Sequence, residues 1–156
     1  MNWDSSFENF KNYLKLERGL STNSIKSYEY DLNLFKNFIQ SNKMSDTPFN
    51  CRPETVKNYL YNNLSNKKSR SQARSISAIK SYFNYLIFEG YIKKSPISDI
   101  ESPKLEKKLP EVLTELEIEK LIKSFDTQQN FGQRNRTIIE VLYGTGMRVS
   151  ELVNLK

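Results

Sequence analysis

Apolar residues recur over the first ninety positions at the three-and-four spacing of helices, and each run is bounded by a starting or stopping residue. Phe7, Phe10, Tyr13 and Leu14 follow Ser5-x-x-Glu8, the spacing of a capping box, and Gly19 stops this first helix. Ser21 is placed to cap a second, whose apolar stripe is Ile25, Tyr28, Leu32, Phe35, Phe38 and Ile39. The polar stretch from Ser41 to Asn50, with Pro48, reads as a loop. Pro53 suits the first turn of a third helix with Val56, Tyr59, Leu60 and Leu64 on one side. A turn at Asn66 to Ser69 leads to a fourth, from about Arg70 to Phe88. It is expected to bury Ala73, Ile76, Ile79, Phe83, Leu86 and Ile87, and Gly90 terminates it. Four helices with short joints predict a compact bundle.

The periodicity then breaks. Pro96, Pro103 and Pro110 punctuate a stretch carrying Lys104, Lys107 and Lys108, which favours an extended path over a helix. The expected organisation is a helical domain over 1–95, a basic linker over 96–110 and a second unit over 111–156. Thr114-x-x-Glu117 is a second capping box, opening a helix through about Phe125. After a loop from Gln128 to Gly132, a sixth helix runs from about Arg134 to Tyr143. Gly144 and Gly146 are expected to break it, and Val149, Leu152, Val153 and Leu155 restart a helical pattern. No segment reads as a strand, so the fold class is mainly α.

Charge sharpens this picture. The chain of 156 residues has 24 Lys and Arg against 18 Asp and Glu, a net charge of +6. Between Lys67 and Lys94 there are seven basic residues and one acid, Glu89, a surplus equal to that of the whole chain. Such a concentration suits a polyanion, although a solvated basic face without a partner has the same composition. One cysteine, Cys51, excludes an internal disulfide and points to a reducing, cytoplasmic setting. With no histidine at all, a zinc site or a histidine-dependent triad cannot be built from these residues. No apolar run approaches the roughly 20 residues of a membrane span.

On the fourth helix, Arg70, Arg74, Ser77, Ser81 and Asn84 fall in one stripe opposite the apolar face, with Lys80 flanking. Small hydroxyls allow close approach to base edges in a major groove, while long cations reach the phosphates on its rims. An ordinary solvated face would intersperse glutamates for i,i+4 pairing, yet no acid occurs from Lys67 to Phe88. The start of the second helix offers a weaker companion in Ser24 and Lys26, near free backbone N–H groups. Tyr28, beside them, fits the apolar stripe better than a contact surface.

Arg148 falls in or just before the first turn of the last helix, where its guanidinium and free N–H groups can face one anion. Glu151, three residues on, is spaced to hold it by a charge-assisted bond. Read alone, this is a helix–turn–helix joint with a solvated arginine. The run LYGTGMRVSELVNLK, however, resembles the first-arginine box of the tyrosine recombinase (phage integrase) family, in its XerC/XerD-type branch. The resemblance continues upstream. GLSTNSIKSYEYDLNLFKNFI is similar to the family's G-L-S-x-N-T segment, with Ser24 where threonine is usual. SRSQARSISAIKSYFNYLIFEGYIKKSPI is similar to its S-x-x-R-x-L-S-A-L-R-x-F-Y-x-F-L…N-P segment, with Lys80 for arginine and Ser95 for asparagine.

The resemblance implies a four-helix, SAM-like core-binding domain, then a linker and the first helices of a truncated catalytic domain. It implies double-stranded DNA and protomers of the same family as partners, with no membrane and no small-molecule substrate. In that family a tyrosine attacks a phosphodiester and leaves a 3′-phosphotyrosyl link, so neither a metal nor a nucleotide cofactor is needed. Arg148 is then the phosphate-binding catalytic cation and Glu151 its supporting neighbour. The family's later lysine, His-x-x-Arg box and nucleophilic tyrosine have no counterpart here, and none of the nine tyrosines matches the nucleophile. The chain is therefore expected to be the N-terminal half of a recombinase, unable to cleave DNA alone. A stand-alone helical DNA-binding module is the alternative reading. A helical interaction protein with an incidental basic face is a third.

Overall fold

The computed structural model describes residues 2–64, 68–101, 103 and 111–155, with the side chain of Leu64 outside that set. The expectations placed on that side chain, on the turn at 66–67 and on the linker at 104–110 lie outside the described residues. The described elements are helices: α1 (Trp3–Leu16), α2 (Thr22–Ser41), α3 (Pro53–Tyr59), α4 (Ser69–Phe88), α5 (Glu115–Lys123), α6 (Gly132–Thr145) and α7 (Val149–Val153). A short π-helical turn, Leu60–Leu64, continues α3. No strand occurs among the described residues. The chain divides into two compact units, residues 1–107 and 108–156.

Most helix ends follow their local signals. Ser21 caps α2 by accepting from the Ser24 N–H, and Pro53 opens α3. Thr114 and Glu117 form the expected reciprocal box at the start of α5. The first helix departs from expectation. Its N-cap is Asn2, whose Oδ1 accepts from the Ser5 N–H at 2.9 Å, while Glu8 pairs instead with Lys11. Asparagine caps as well as serine does, and the earlier start brings Trp3 onto the buried face.

The first unit has its core among α1, α2, α3 and α4. Tyr82 lies at its centre, fully buried, with its ring against Trp3, Phe7, Phe10 and Phe83 and its hydroxyl bonded to Ser6. Burial pushes the Tyr82 phenol well above its ordinary pKa. Phe35 packs between Trp3 and Tyr59, and Val56, Ile79 and Leu86 complete the interior. On α4 the buried set includes Tyr82 and Tyr85, whereas Ile87, expected inside, is exposed and Ala73 is only half-buried. Packing against two neighbours rotates the buried stripe away from Ile87. Ile97 is buried and Ile100 half-buried against the same cluster, so the chain stays attached to the bundle beyond Pro96.

A polar staple ties the loop after α2. Asp46 is buried and accepts from the Arg52 N–H, Nε and Nη2 at 2.9, 3.2 and 2.8 Å, while its carbonyl accepts from Trp3 Nε1. Hydrogen bonds from the Arg52 side chain hold the Asp46 carboxyl below its usual pKa. Burial, reinforced by the Asp46 charge, pushes the Cys51 thiol up to about 12, which keeps it protonated and unreactive.

In the second unit α5 packs on α6, and α7 follows after a tight turn. Gly132 is its one buried described residue. A Cβ there would lie 1.8 Å from the Asp126 carbonyl oxygen, so glycine is required by backbone approach.

Candidate nucleic-acid interface

Helix α4 presents Arg70, Arg74, Ser77 and Asn84 exposed along one side, with Lys80 and Ser81 half-buried beside them. Ser77, Lys80, Ser81 and Asn84 line an open groove of about 320 Å³ together with Tyr13, Arg18 and Tyr85. The part of the expected stripe from Ser77 to Asn84 is therefore a concavity shared with the end of α1, and Arg74 does not line it. Arg70 stands at the α4 N-terminus outside that groove.

Arg74 is differently placed from the other cations. Its Nε and Nη2 donate to Asp31 Oδ2 and Oδ1 at 2.9 and 3.3 Å. The Asp31 side chain on α2 is 2% exposed and that of Arg74 is 48% exposed. A buried carboxylate needs such a partner, because leaving it unpaired costs more than the pair itself contributes. Arg74 thus joins α2 to α4 and spends much of its charge inside the fold. Among the described residues no ion pair engages Arg18, Arg70 or Lys80.

The structure does not bring Ser24 and Lys26 to the α4 groove. Lys26 lines a separate hollow of about 420 Å³ between α1 and the start of α2, with Lys11, Lys15 and Glu29. Ser24 Oγ lies 3.0 Å from Ser21 Oγ within the cap. Tyr28 packs half-buried against the core, as its stripe position implied.

Two relevant residues escaped the reading of the sequence. Asp31 had a signal: it falls three residues after Tyr28 and four before Phe35, an acid on an apolar stripe that must find a cation. Arg18 had none, because it follows the end of α1 and belongs to no helical stripe.

In the second unit the turn before Arg148 is built differently from expectation. Gly144 remains within α6, which runs to Thr145; Gly146 alone takes the left-handed conformation, at φ +65°. Its N–H closes the helix on the Leu142 carbonyl at 3.0 Å. Arg148 then caps α7 in extended conformation. The Glu151 carboxylate accepts from the Arg148 N–H at 2.7 Å through one oxygen and from Nη1 at 3.2 Å through the other. The Arg148 side chain is 83% exposed, so the carboxylate orients the guanidinium without covering it.

Comparison with known proteins gives the frame for both elements. Residues 7–90 match the family described as phage integrase, N-terminal SAM-like domain, and residues 111–156 match the phage integrase family. The chain belongs to the phage integrase family. Its relatives include tyrosine recombinase XerD of Listeria monocytogenes, 39% identical over 150 residues, or 96% of this chain and 50% of the relative. XerD of Staphylococcus epidermidis is 40% identical over 149 residues, 95% of this chain and 50% of the relative. XerD of Halalkalibacterium halodurans is 36% identical over 153 residues, 97% and 51% respectively. The chain spans about half the length of the curated relatives it matches. In this phage integrase chain the SAM-like match runs from Phe7 within α1 through α4 and includes the groove, and the second match contains the Arg148 turn.

Proposed function

We propose that this chain is the DNA-gripping N-terminal portion of a site-specific tyrosine recombinase. The bundle holds a double helix through the outer side of α4, and Arg148 is the cation for the phosphate at which strand exchange occurs. What carries this reading is an arginine left outward-facing by a left-handed glycine turn and oriented by Glu151, in a segment that matches phage integrases. A guanidinium stays charged at any working pH, and its fork fits two non-bridging phosphate oxygens. Preorganised donors of this kind typically lower a barrier by about 3–4 kcal/mol. Residues 1–156 contain no histidine, so any histidine chemistry at that phosphate comes from outside them. The partners proposed are double-stranded DNA and protomers of the same family, met in the cytoplasm.

The test is titration of duplex DNA with the chain at several salt concentrations, alongside incubation with a nicked suicide duplex. Salt-dependent binding without a covalent adduct is expected. Absence of salt-dependent binding refutes the DNA-gripping role, and a trapped adduct formed by this chain alone refutes the assignment of the nucleophile elsewhere. The self-contained core of the first unit favours one second reading, a stand-alone DNA-binding module. It would occupy recombination sites without acting on them, and would be recognised by inhibition of an intact recombinase at its own site.

A further inference from the structure

We infer that Arg18, at the joint between α1 and α2, is a phosphate ligand that completes the α4 groove as a clamp on one DNA strand; this rests on the DNA-binding reading above. The groove takes its two cations from different elements, Arg18 from the joint and Lys80 from α4, over the hydroxyls of Ser77 and Ser81 and the amide of Asn84. No acid lines it. The nearby acids Glu17 and Glu89 line an adjoining hollow that shares only Tyr13 and Tyr85 with it. Those two rings lie 5.0 Å apart, so the aromatic pair forms the boundary between a basic strip and an acidic one. A polyanion fits on one side of that boundary and is repelled on the other.

The joint is also fixed. The Arg18 N–H donates to the Tyr13 carbonyl at 3.2 Å, and Leu20 N–H to the Leu14 carbonyl at 3.0 Å, across Gly19 at φ +61°. This arrangement closes α1 and holds the Arg18 backbone at the rim. A helix lying in a major groove has a phosphate strand on each rim, and a cation carried by a neighbouring element reaches that strand from the side. The small groups of Ser77 and Ser81 leave room for close approach beneath it.

Arg18→Gln, Arg18→Lys and Lys80→Gln in the full chain test this, with Lys57→Gln on α3 as a control cation outside the groove. The measurement is affinity for a mixed-sequence duplex, read as log K against log salt, with ellipticity confirming that each variant is folded. Arg18→Gln is expected to weaken binding several-fold at low salt and to reduce the slope by about 0.9, the value of one phosphate contact. Arg18→Lys restores most of that slope, and Lys57→Gln leaves it unchanged. If Lys80→Gln lowers the slope and Arg18→Gln does not, the Arg18 assignment is overturned while DNA binding stands. If Arg18→Gln leaves duplex binding intact but abolishes capture of an acidic polypeptide, the groove serves a protein and the inference fails. If the unaltered chain shows no salt-dependent duplex binding, both readings fall together.

Discussion

The two units are made of similar helices and have opposite interiors. In the first, α1 to α4 enclose Phe10, Phe35, Tyr59, Tyr82, Phe83 and Leu86, with rings in edge and tilted contact across all four. In the second, no described side chain is buried, and Leu113, Leu116, Phe131, Val149, Val153 and Leu155 are exposed. Helical periodicity is equally clear in both. Periodicity specifies a helix and its apolar face, whereas stability comes from what covers that face. The first unit covers its own; in the second, α5 packs on α6 but leaves its apolar residues no more than half-buried, and caps and i,i+4 pairs add to that support.

Four changes would break or sharpen this contrast. The largest effect is expected from Tyr82→Ala, which removes the ring shared by four aromatic neighbours and orphans the Ser6 hydroxyl. A loss of about 3–5 kcal/mol would bring the first unit close to the openness of the second, as read by urea unfolding followed by ellipticity. A loss below about 1 kcal/mol would mean that the aromatic core is not what distinguishes the units.

Arg74→Ala comes next. It leaves the buried Asp31 without its cation, and a loss of about 2 kcal/mol is expected, below the fully buried case because Arg74 is half-exposed. The double change Arg74→Ala with Asp31→Ala should recover part of it, since the uncompensated charge is then gone. Strict additivity would show that α2 and α4 are not joined through this pair.

Acid should act on the first unit through Asp46. Its carboxyl is held below the usual value when folded, so its stabilising contribution is complete above about pH 4, the unfolded value. That contribution is lost as pH falls through the depressed folded value. Midpoint stability should therefore decline below about pH 4, and Asp46→Asn should flatten that decline while Arg52 remains charged throughout. An unchanged acid limb in the variant would remove Asp46 from the account.

The smallest effect is expected at Arg148. Its side chain is 83% exposed and paired with Glu151, so Arg148→Ala should change thermal stability by less than about 0.5 kcal/mol. Duplex affinity of this chain should barely change, which sets it apart from Arg18 and Lys80. A large loss of stability would mean that the exposed turn is a structural joint of the second unit.

Much of this was legible beforehand because it depends on neighbours in the chain. Ser21, Pro53, Gly90, Thr114 and Glu117 act within a turn of their own positions, and the stripes on α2 and α4 follow from a fixed helical repeat. The Arg148–Glu151 pair was legible for the same reason, being three residues apart. In sequence Gly132 is only part of a loop, because the Asp126 carbonyl that excludes a Cβ is brought close by folding.

The sequence by itself determined a mainly helical chain, the family to which it belongs and a glycine turn just before Arg148. These rest on local geometry and on a contiguous motif. Only the tertiary structure decided that Arg74 is bound to Asp31, that Arg18 shares a groove with Ser77 and Lys80, and that Ile87 lies outside while Tyr82 is the centre. Asp31 and Arg74 are 43 positions apart, and Ser6 and Tyr82 are 76 apart. No helical repeat carries information across such distances; which faces meet is settled when the helices pack, by the side chains that fill the space between them.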